Sequence, residues 1–203
     1  MTDSETIAGT RGYRASADQF IALSQSLEFK VVHAVCLPYL PDPPARCLDA
    51  GSGAGQNAAA LTDMGYTVDA VEPLDTFRQA ARQRYPHGAI RWLDDSLPLL
   101  PGLNGEQYHF ILVAAVMHHL DAGDKHRALA RLAAWLSSGG RCAFSLRNGP
   151  AGLGSQVYPT SADRLIADAT PLGLRCLDRR DNVPSILPGK NGVRWSHLVL
   201  HKD

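Results

Sequence analysis

The sequence lacks the features that mark several large classes of protein. Its longest apolar run, residues 110–117, falls well short of the roughly 20 residues that a membrane-spanning helix needs. The N-terminus is polar and contains acids, unlike a secretory signal. The four cysteines include no CxxC pair, so we expect free, buried thiols in the cytoplasm rather than a disulfide framework or a metal site. We therefore expect no membrane contact and no bound metal.

The sequence also lacks an excess of charge of either sign, because 20 Lys and Arg residues balance 20 Asp and Glu residues. Proteins that bind nucleic acid through its phosphates usually carry a basic surplus, so we expect no nucleic acid partner. The composition is that of an ordinary globular protein, with 45% hydrophobic residues. A length of 203 residues suits one domain, as a monomer or homodimer.

Hydrophobic periodicity predicts an alternation of strands and helices. The predicted strands are 46–50, 67–71, 90–93, 109–116, 141–146, 174–179 and 193–201. The predicted helices are 16–40, 56–64, 74–85, 122–137 and 160–172. This alternation predicts an α/β fold with a mostly parallel sheet and helices on both faces. Only a short loop separates the last two strands, so we expect a hairpin and an antiparallel last strand.

A glycine-rich loop follows the first predicted strand, with the sequence DAGSGAG over residues 49–55. Glycines permit positive φ and let a ligand approach the backbone, and the next helix offers unpaired N–H groups. We expect a nucleotide there, although a tight turn without a ligand is the simpler alternative. A phosphate loop of the Walker type is excluded, because no GK[ST] follows. A dinucleotide remains possible, since the stretch that starts at Gly53 fits GxGxxA.

Acidic residues follow the second and third predicted strands. Glu72 lies 23 residues after Asp49, where a carboxylate can accept both hydroxyls of a ribose. The stretch DDSLP over residues 94–98 places an acid where it can accept a hydrogen bond from an adenine amino group. The alternatives are a solvated strand-end acid and an ordinary turn, respectively.

Four stretches in order resemble the class I S-adenosylmethionine-dependent methyltransferases, most closely the compact small-molecule branch called type 11. They are LDAGSGAG (48–55), VDAVEP (68–73), LDDSLP (93–98) and FILVAAVMHHL (110–120). The run over 129–146 matches the family's next helix, Gly-Gly turn and fifth strand. The resemblance implies a Rossmann-like three-layer sandwich with a seven-stranded, mostly parallel sheet whose last strand is antiparallel. It implies a single methyltransferase domain over 1–203, in which 1–44 form an arm and helix over the active site and 45–203 form the core.

The resemblance implies S-adenosyl-L-methionine as the cofactor and S-adenosyl-L-homocysteine as its product. The implied cofactor-binding residues are Asp49, Ala50, Gly51, Ser52, Gly53, Gly55, Glu72, Pro73, Leu74, Asp95, Ser96, Leu97, Ala114 and Ala115. Asp49, Gly51, Gly53 and Gly55 line the methionine part, Glu72 holds the ribose hydroxyls, and Ala114 and Ala115 lie near the sulfonium. In the family a glycine more often precedes the adenine-facing acid, so Asp94 remains an alternative to Asp95.

Methyl transfer needs correct positioning, and it needs a base only when the nucleophile is protonated. We therefore expect no fixed catalytic triad. His118 and His119 follow the fourth strand and are candidate catalytic residues, with simple packing as the alternative. Arg147 follows the fifth strand and is a candidate for catalysis and for binding a carboxylate or phosphate of the substrate, with a plain surface arginine as the alternative.

Few segments are available to build a substrate pocket over the ligand-binding edge. Tyr13 and Arg14 precede the first helix, and Tyr158 follows the fifth strand, so these three are candidate substrate contacts. The short insertions suit a small molecule better than a folded protein or an RNA stem. We expect an enzyme that transfers a methyl group to oxygen or nitrogen of a small metabolite. The alternatives are a non-catalytic S-adenosylmethionine-binding module and an NAD-dependent oxidoreductase that uses the glycine loop.

Overall fold

The computed structural model describes residues 7–86, 88–103, 105–153 and 156–203 and contains a seven-stranded sheet. The strands are Arg46–Ala50 (β1), Thr67–Val71 (β2), Ile90–Leu93 (β3), Tyr108–Ala114 (β4), Leu136–Asn148 (β5), Leu174–Pro184 (β6) and Arg194–Lys202 (β7). Their order is β3-β2-β1-β4-β5-β7-β6. The first five strands are parallel, and β7 runs antiparallel to both β5 and β6. The predicted α/β fold with an antiparallel last strand is confirmed.

The α-helices connect these strands and cover both faces of the sheet. They are Ala17–Gln25 (α1), Phe29–Val32 (α2), Gln56–Asp63 (α3), Asp75–Arg84 (α4), Ala122–Trp135 (α5) and Ala162–Ala169 (α6). Along β4, Phe110 and Leu112 pack in one hydrophobic cluster, whereas Ile111 and Val113 pack in the other. Such burial on both faces explains why this strand is apolar at successive positions.

The single helix expected over residues 16–40 is wrong, because the chain breaks between α1 and α2. Glu28 has an extended backbone (φ −82°, ψ 123°), which redirects the chain. Because of this break, the apolar residues of α1 and those of α2 face different surroundings. Phe20 and Leu23 of α1 line a cavity, whereas Phe29 enters the core beneath the sheet.

The fifth strand begins five residues earlier than expected, directly after α5. Leu136 is fully buried and pairs with Tyr108 at the start of β4. The Lys202 ammonium donates to the carbonyls of Ala133 and Leu136, both at 2.7 Å, and so caps the end of the helix. The Gly-Gly pair at 139–140 therefore lies inside β5, where the pairing register with β4 shifts.

A buried carboxylate ties together the amino-terminal parts of β1, β3 and β4. Asp69 of β2 accepts hydrogen bonds from Arg46 at 2.7 Å, from Arg91 at 2.7 and 2.9 Å, and from the Tyr108 hydroxyl at 2.7 Å. Burial alone would raise the pKa of Asp69, but these donors hold it below its usual value. This network lies within the sheet, away from the candidate site described below, and its role is structural.

All four cysteines carry free thiols, of which only that of Cys176 is partly exposed. Across the parts of the chain that the structure describes, no helix combines the length and apolarity needed to cross a membrane.

Candidate active site

A cavity of about 470 Å³ opens at the carboxyl ends of the parallel strands. It lies where the strand order reverses between β1 and β4, the position at which open α/β sheets bind ligands. Its volume lies within the range of about 300–1,000 Å³ that is usual for small-molecule pockets. The predicted site residues on its wall are Tyr13, Gly51, Ser52, Gly53, Glu72, Pro73, Leu74, Asp95, Ser96, Leu97, Ala114, Ala115, His118, His119 and Arg147.

Five predicted site residues do not line the cavity. Asp49 and Ala50 are fully buried in β1 beneath the glycine loop. Gly55 lies at the start of α3, where a β-carbon would come within 2.7 Å of Ala81 and Trp92, so packing requires glycine there. The other two are Arg14, which is exposed, and Tyr158, whose hydroxyl accepts from the Gln156 amide and whose ring faces the Lys125 ammonium.

The glycine loop is fixed to the neighbouring strand and presents its backbone to the cavity. The N–H groups of Gly51 and Ser52 both donate to the carbonyl of Val71, at 2.9 and 2.8 Å. Gly51 has a φ of +87°, and a β-carbon there would lie only 2.3 Å from Val116. Only glycine tolerates both the positive φ and the lack of space for a β-carbon. Glycine at this position therefore lets the loop lie close to the end of β4.

Asp49 is fully buried beneath this loop. Among the described residues, no donor meets either carboxylate oxygen with normal hydrogen-bond geometry, and the Ser52 hydroxyl likewise has no partner. Burial raises the pKa of Asp49 to about 7, the Glu72 carboxylate adds to the rise, and the Ala58 N–H opposes it. Buried polar groups almost always have partners, so an unpaired carboxylate here indicates a site for a cation or hydrogen-bond donor.

Glu72 at the end of β2 joins the glycine loop to the next turn. One oxygen accepts from the N–H of Gly53 at 3.1 Å, and the other accepts from the N–H of Leu74 at 2.8 Å. Burial raises the pKa of Glu72 to about 7, although both N–H groups and the Arg78 cation act to lower it. A carboxylate has about four lone-pair positions, so both oxygens retain acceptor capacity for a ligand.

Arg78 of α4 supports this turn, and sequence reasoning missed it. Its buried guanidinium donates to the Glu72 carbonyl at 2.6 Å and to the Asp94 carboxylate at 3.1 Å. The side chain therefore joins the ends of β2 and β3. The only available signal was an arginine one turn into the helix that follows the strand-end acid.

The two acids after β3 take different positions. Asp94 pairs with Arg78 away from the cavity wall, whereas Asp95 lies on the wall. The two oxygens of Asp95 accept from the N–H groups of Ser96 and Gly102, both at 2.7 Å. Asp95 therefore shapes the loop over 96–102, and its contact with an adenine stays a prediction.

His119 joins three separate parts of the chain at the cavity. Its Nδ1 lies 3.0 Å from the carbonyl of Gln156, and its Nε2 lies 3.1 Å from the Tyr13 hydroxyl. A carbonyl can only accept, so Nδ1 carries the proton and Nε2 accepts from Tyr13. Burial raises the pKa of Tyr13 to about 12 and lowers that of His119, so both groups are neutral near pH 7.

The neighbouring His118 is almost fully buried, and its Nδ1 has no partner among the described residues. Burial lowers the pKa of His118 to about 2, and the nearby His119 and Arg147 add to the effect. The ring therefore stays neutral and is a weak base. A hydrogen-bonding role fits it better than proton abstraction. Within the described ranges, no three His, Cys, Asp or Glu side chains are grouped in a way that could hold a metal ion.

Arg147 lies on the cavity wall at the end of β5. One guanidinium nitrogen donates to the carbonyl of Pro150 at 2.6 Å. Burial lowers the pKa of Arg147, and the Tyr13 hydroxyl acts in the opposite direction. No carboxylate of the described residues forms an ion pair with it, so its charge is available to a ligand.

Comparison with known proteins agrees with this architecture. A family described as "Methyltransferase domain" matches residues 48–144. An uncharacterized methyltransferase of Alkaliphilus oremlandii is 29% identical over 94 residues, which are 46% of this chain and 42% of that protein. This chain thus spans less than half the length of that curated relative.

Solved structures share the fold at low sequence identity. The 1,6-didemethyltoxoflavin-N1-methyltransferase of Burkholderia thailandensis, solved with S-adenosylhomocysteine, matches with a TM-score of 0.74 and 20% identity over 100% of this chain and 92% of its own. The magnesium protoporphyrin IX methyltransferase of Synechocystis, solved with S-adenosylmethionine, matches with a TM-score of 0.64 and 13% identity over 100% and 85%. Together, residues 48–144 match a methyltransferase domain, and the fold is shared with solved methyltransferases that bind S-adenosylmethionine or S-adenosylhomocysteine.

Proposed function

We propose that this protein transfers a methyl group from S-adenosylmethionine to oxygen or nitrogen of a small molecule, and that residues 1–203 form one domain for this purpose. One observation carries the proposal: a single cavity brings together the glycine loop, the end of β2 and the loop after β3, above the unpaired Asp49 carboxylate. The structural neighbours named for toxoflavin and porphyrin substrates support a small-molecule acceptor. The buried free thiols support a cytoplasmic location.

The chemistry of these groups fits the cofactor part by part. Asp49 offers negative charge for an ammonium group, either directly or through water. Glu72 offers acceptors for a pair of ribose hydroxyls. Leu74 and Leu97 are largely buried and lie on the cavity wall, where they offer apolar contact to an adenine ring.

The bound cofactor supplies a methyl group that is already activated by its sulfonium. The chain has to hold the acceptor in line and keep water away. An aromatic cluster serves the second purpose: Phe20 stacks on Phe77 at 4.5 Å between ring centroids, and Tyr13 packs edge-on against both. His118 is neutral near the end of β4, and its Nδ1, which has no partner among the described residues, offers a hydrogen bond to the methyl acceptor. Both ring nitrogens of His119 are already engaged, so this residue positions the surrounding segments.

Calorimetric titration with S-adenosylmethionine, S-adenosylhomocysteine and NADH tests the proposal. We expect the first two to bind with micromolar dissociation constants and NADH to bind far more weakly. Glu72→Ala should weaken binding at least tenfold, because the ribose hydroxyls lose their acceptors. Glu28→Ala is the matched control, since Glu28 is exposed and lies off the cavity wall. Failure of both adenosyl ligands to bind, or tighter binding of NADH, would contradict the proposal.

Turnover separates an enzyme from a module that only binds the cofactor. Incubation with methyl-labelled S-adenosylmethionine and a panel of small acids, phenols and amines should yield a labelled product and S-adenosylhomocysteine. Cofactor binding without any transfer to such a panel would favour the binding module.

A further inference from the structure

The charged groups on the cavity wall are separated by sign. The two acids on the wall, Glu72 and Asp95, follow β2 and β3. The cationic residues Arg147, Arg180 and Lys190 belong to β5, to β6 and to the loop that joins β6 to β7. Among the described lining residues, no carboxylate lies on this second side of the cavity. The cofactor groups assigned above leave this side to another ligand.

Two of the cations converge on one point beside Gly152. A β-carbon placed on this glycine would lie 3.6 Å from the Lys190 ammonium and 3.7 Å from a guanidinium nitrogen of Arg147. Both groups therefore flank the same small space, which glycine leaves open. A carboxylate or phosphate group at this place is within reach of both cations.

Within the described parts of the chain, no carboxylate pairs with either cation. Arg147 donates to a backbone carbonyl, and Lys190 has no side-chain partner among the described residues. Arg179, by contrast, pairs with Asp163 and Asp181. Like charges held close together without a carboxylate repel each other, and an anionic ligand would relieve this repulsion.

The surroundings of the cation pair are apolar. Trp195 pairs with Arg147 in the register of β5 and β7, and the carbonyl of Leu187 accepts from the Lys190 N–H at 3.3 Å. Both residues line the cavity, as does Val157. Two side chains on the lining are strongly exposed for their type: Val31 at 57% and Ile186 at 60%. A ligand that contacts these residues has an apolar body in addition to its charged end.

We propose that the methyl acceptor is a small acid with an apolar body, whose carboxylate or phosphate binds between Arg147 and Lys190 beside Gly152. This proposal rests on the proposed function, since it names the substrate class of the same cavity. It makes Arg147 and Lys190 determinants of specificity.

The test measures binding of small probes by NMR titration at constant ionic strength. The probes are benzoate, phenyl phosphate and neutral benzamide, added to protein with and without S-adenosylhomocysteine. We expect benzoate or phenyl phosphate to bind at least ten times more tightly than benzamide. The anion that binds more tightly indicates whether the substrate carries a carboxylate or a phosphate. Arg147→Met and Lys190→Met should each weaken binding of that anion at least tenfold. Lys30→Met, an exposed residue off the cavity wall, removes the same charge and should change nothing.

Other outcomes separate the two proposals. Equal binding of benzoate, phenyl phosphate and benzamide, or unchanged anion affinity in both cavity variants, would overturn the acidic substrate. A comparable loss of S-adenosylhomocysteine affinity in these variants would also overturn it, because the cations would then serve the cofactor's carboxylate. Absence of S-adenosylhomocysteine binding in the unaltered protein would contradict the proposed function, while the titrations without that ligand would still decide the anion site.

Discussion

The Tyr13 hydroxyl donates a hydrogen bond to Nε2 of His119, 106 positions further along the chain, at 3.1 Å. The opposite ring nitrogen donates to the carbonyl of Gln156, so one imidazole links the N-terminal segment, the end of β4 and the loop after β5. These three segments form part of the cavity wall or lie next to it. The pair therefore helps to hold the N-terminal segment over the cavity.

Tyr13→Phe should loosen this segment without disturbing the sheet. The substitution keeps the ring but leaves a buried histidine nitrogen without its donor, at a cost of about 1–3 kcal/mol. Hydrogen exchange followed by mass spectrometry should become faster over residues 8–25 and stay unchanged over β4. Unchanged protection of residues 8–25 would show that the hydrogen bond does not hold the segment.

Asp49→Asn should change how stability depends on pH. The pKa of Asp49 rises from 3.8 to about 7 on folding, so the folded state holds its proton more tightly than the unfolded state. Its carboxyl therefore favours the folded state at low pH, and this contribution is lost as the pH rises from about 4 to 7. Urea unfolding should show that Asp49→Asn loses less stability between pH 5 and pH 8 than the unaltered protein does. Equal losses in both proteins would contradict the raised pKa.

Binding of S-adenosylhomocysteine should release protons near pH 6.5. Asp49 and Glu72 both have raised pKa values of about 7, and ligand donors favour their ionised forms. The dissociation constant should therefore fall as the pH rises from 6 to 8 and then level off. Calorimetry in buffers of different ionisation enthalpy measures the protons directly. Proton uptake, or an affinity that is independent of pH, would be inconsistent with this account.

Asp69→Asn should destabilise the fold by about 2 kcal/mol at pH 7, because a buried carboxylate with several charged donors is lost. The pKa of Asp69 is lowered on folding, so its contribution is present above the unfolded pKa and disappears as the pH falls below about 4. Urea unfolding should show a larger difference between the two proteins at pH 7 than at pH 3. Asp163→Asn removes an exposed ion pair and should have little effect at either pH. A similar loss of unfolding free energy in Asp69→Asn and Asp163→Asn would show that burial does not set the contribution of Asp69 to stability.

Local patterns were sufficient to predict the sheet and the loops at its carboxyl ends. The glycine loop directly follows β1, and Glu72 directly follows β2, so the alternation of strands and helices brings them to the same edge of the sheet. The start of β5 was harder to predict. Leu136 directly follows the helix and pairs with Tyr108 of β4, while Lys202 of β7 caps the end of that helix. Both are contacts between distant residues.

Contacts between distant residues also explain what sequence reasoning could not predict at the candidate site. The contact of Tyr13 with His119 joins positions 106 apart, and no periodicity encodes it. The Tyr158 hydroxyl accepts from the Gln156 amide and its ring faces the Lys125 ammonium, because the path of the loop decides which way this side chain points. The pair of Arg147 and Lys190 was visible only as one strand-end arginine until the hairpin brought the lysine beside it.

A crystal structure of the protein with S-adenosylhomocysteine tests most directly whether this cavity holds the cofactor. We predict that the ligand occupies the cavity with its ribose hydroxyls bound to the Glu72 carboxylate. Its amino group should lie above Asp49, directly or through one water, and its adenine should lie between Leu74 and Leu97. A ligand bound elsewhere on the protein, or an empty cavity at saturating ligand, would contradict the account.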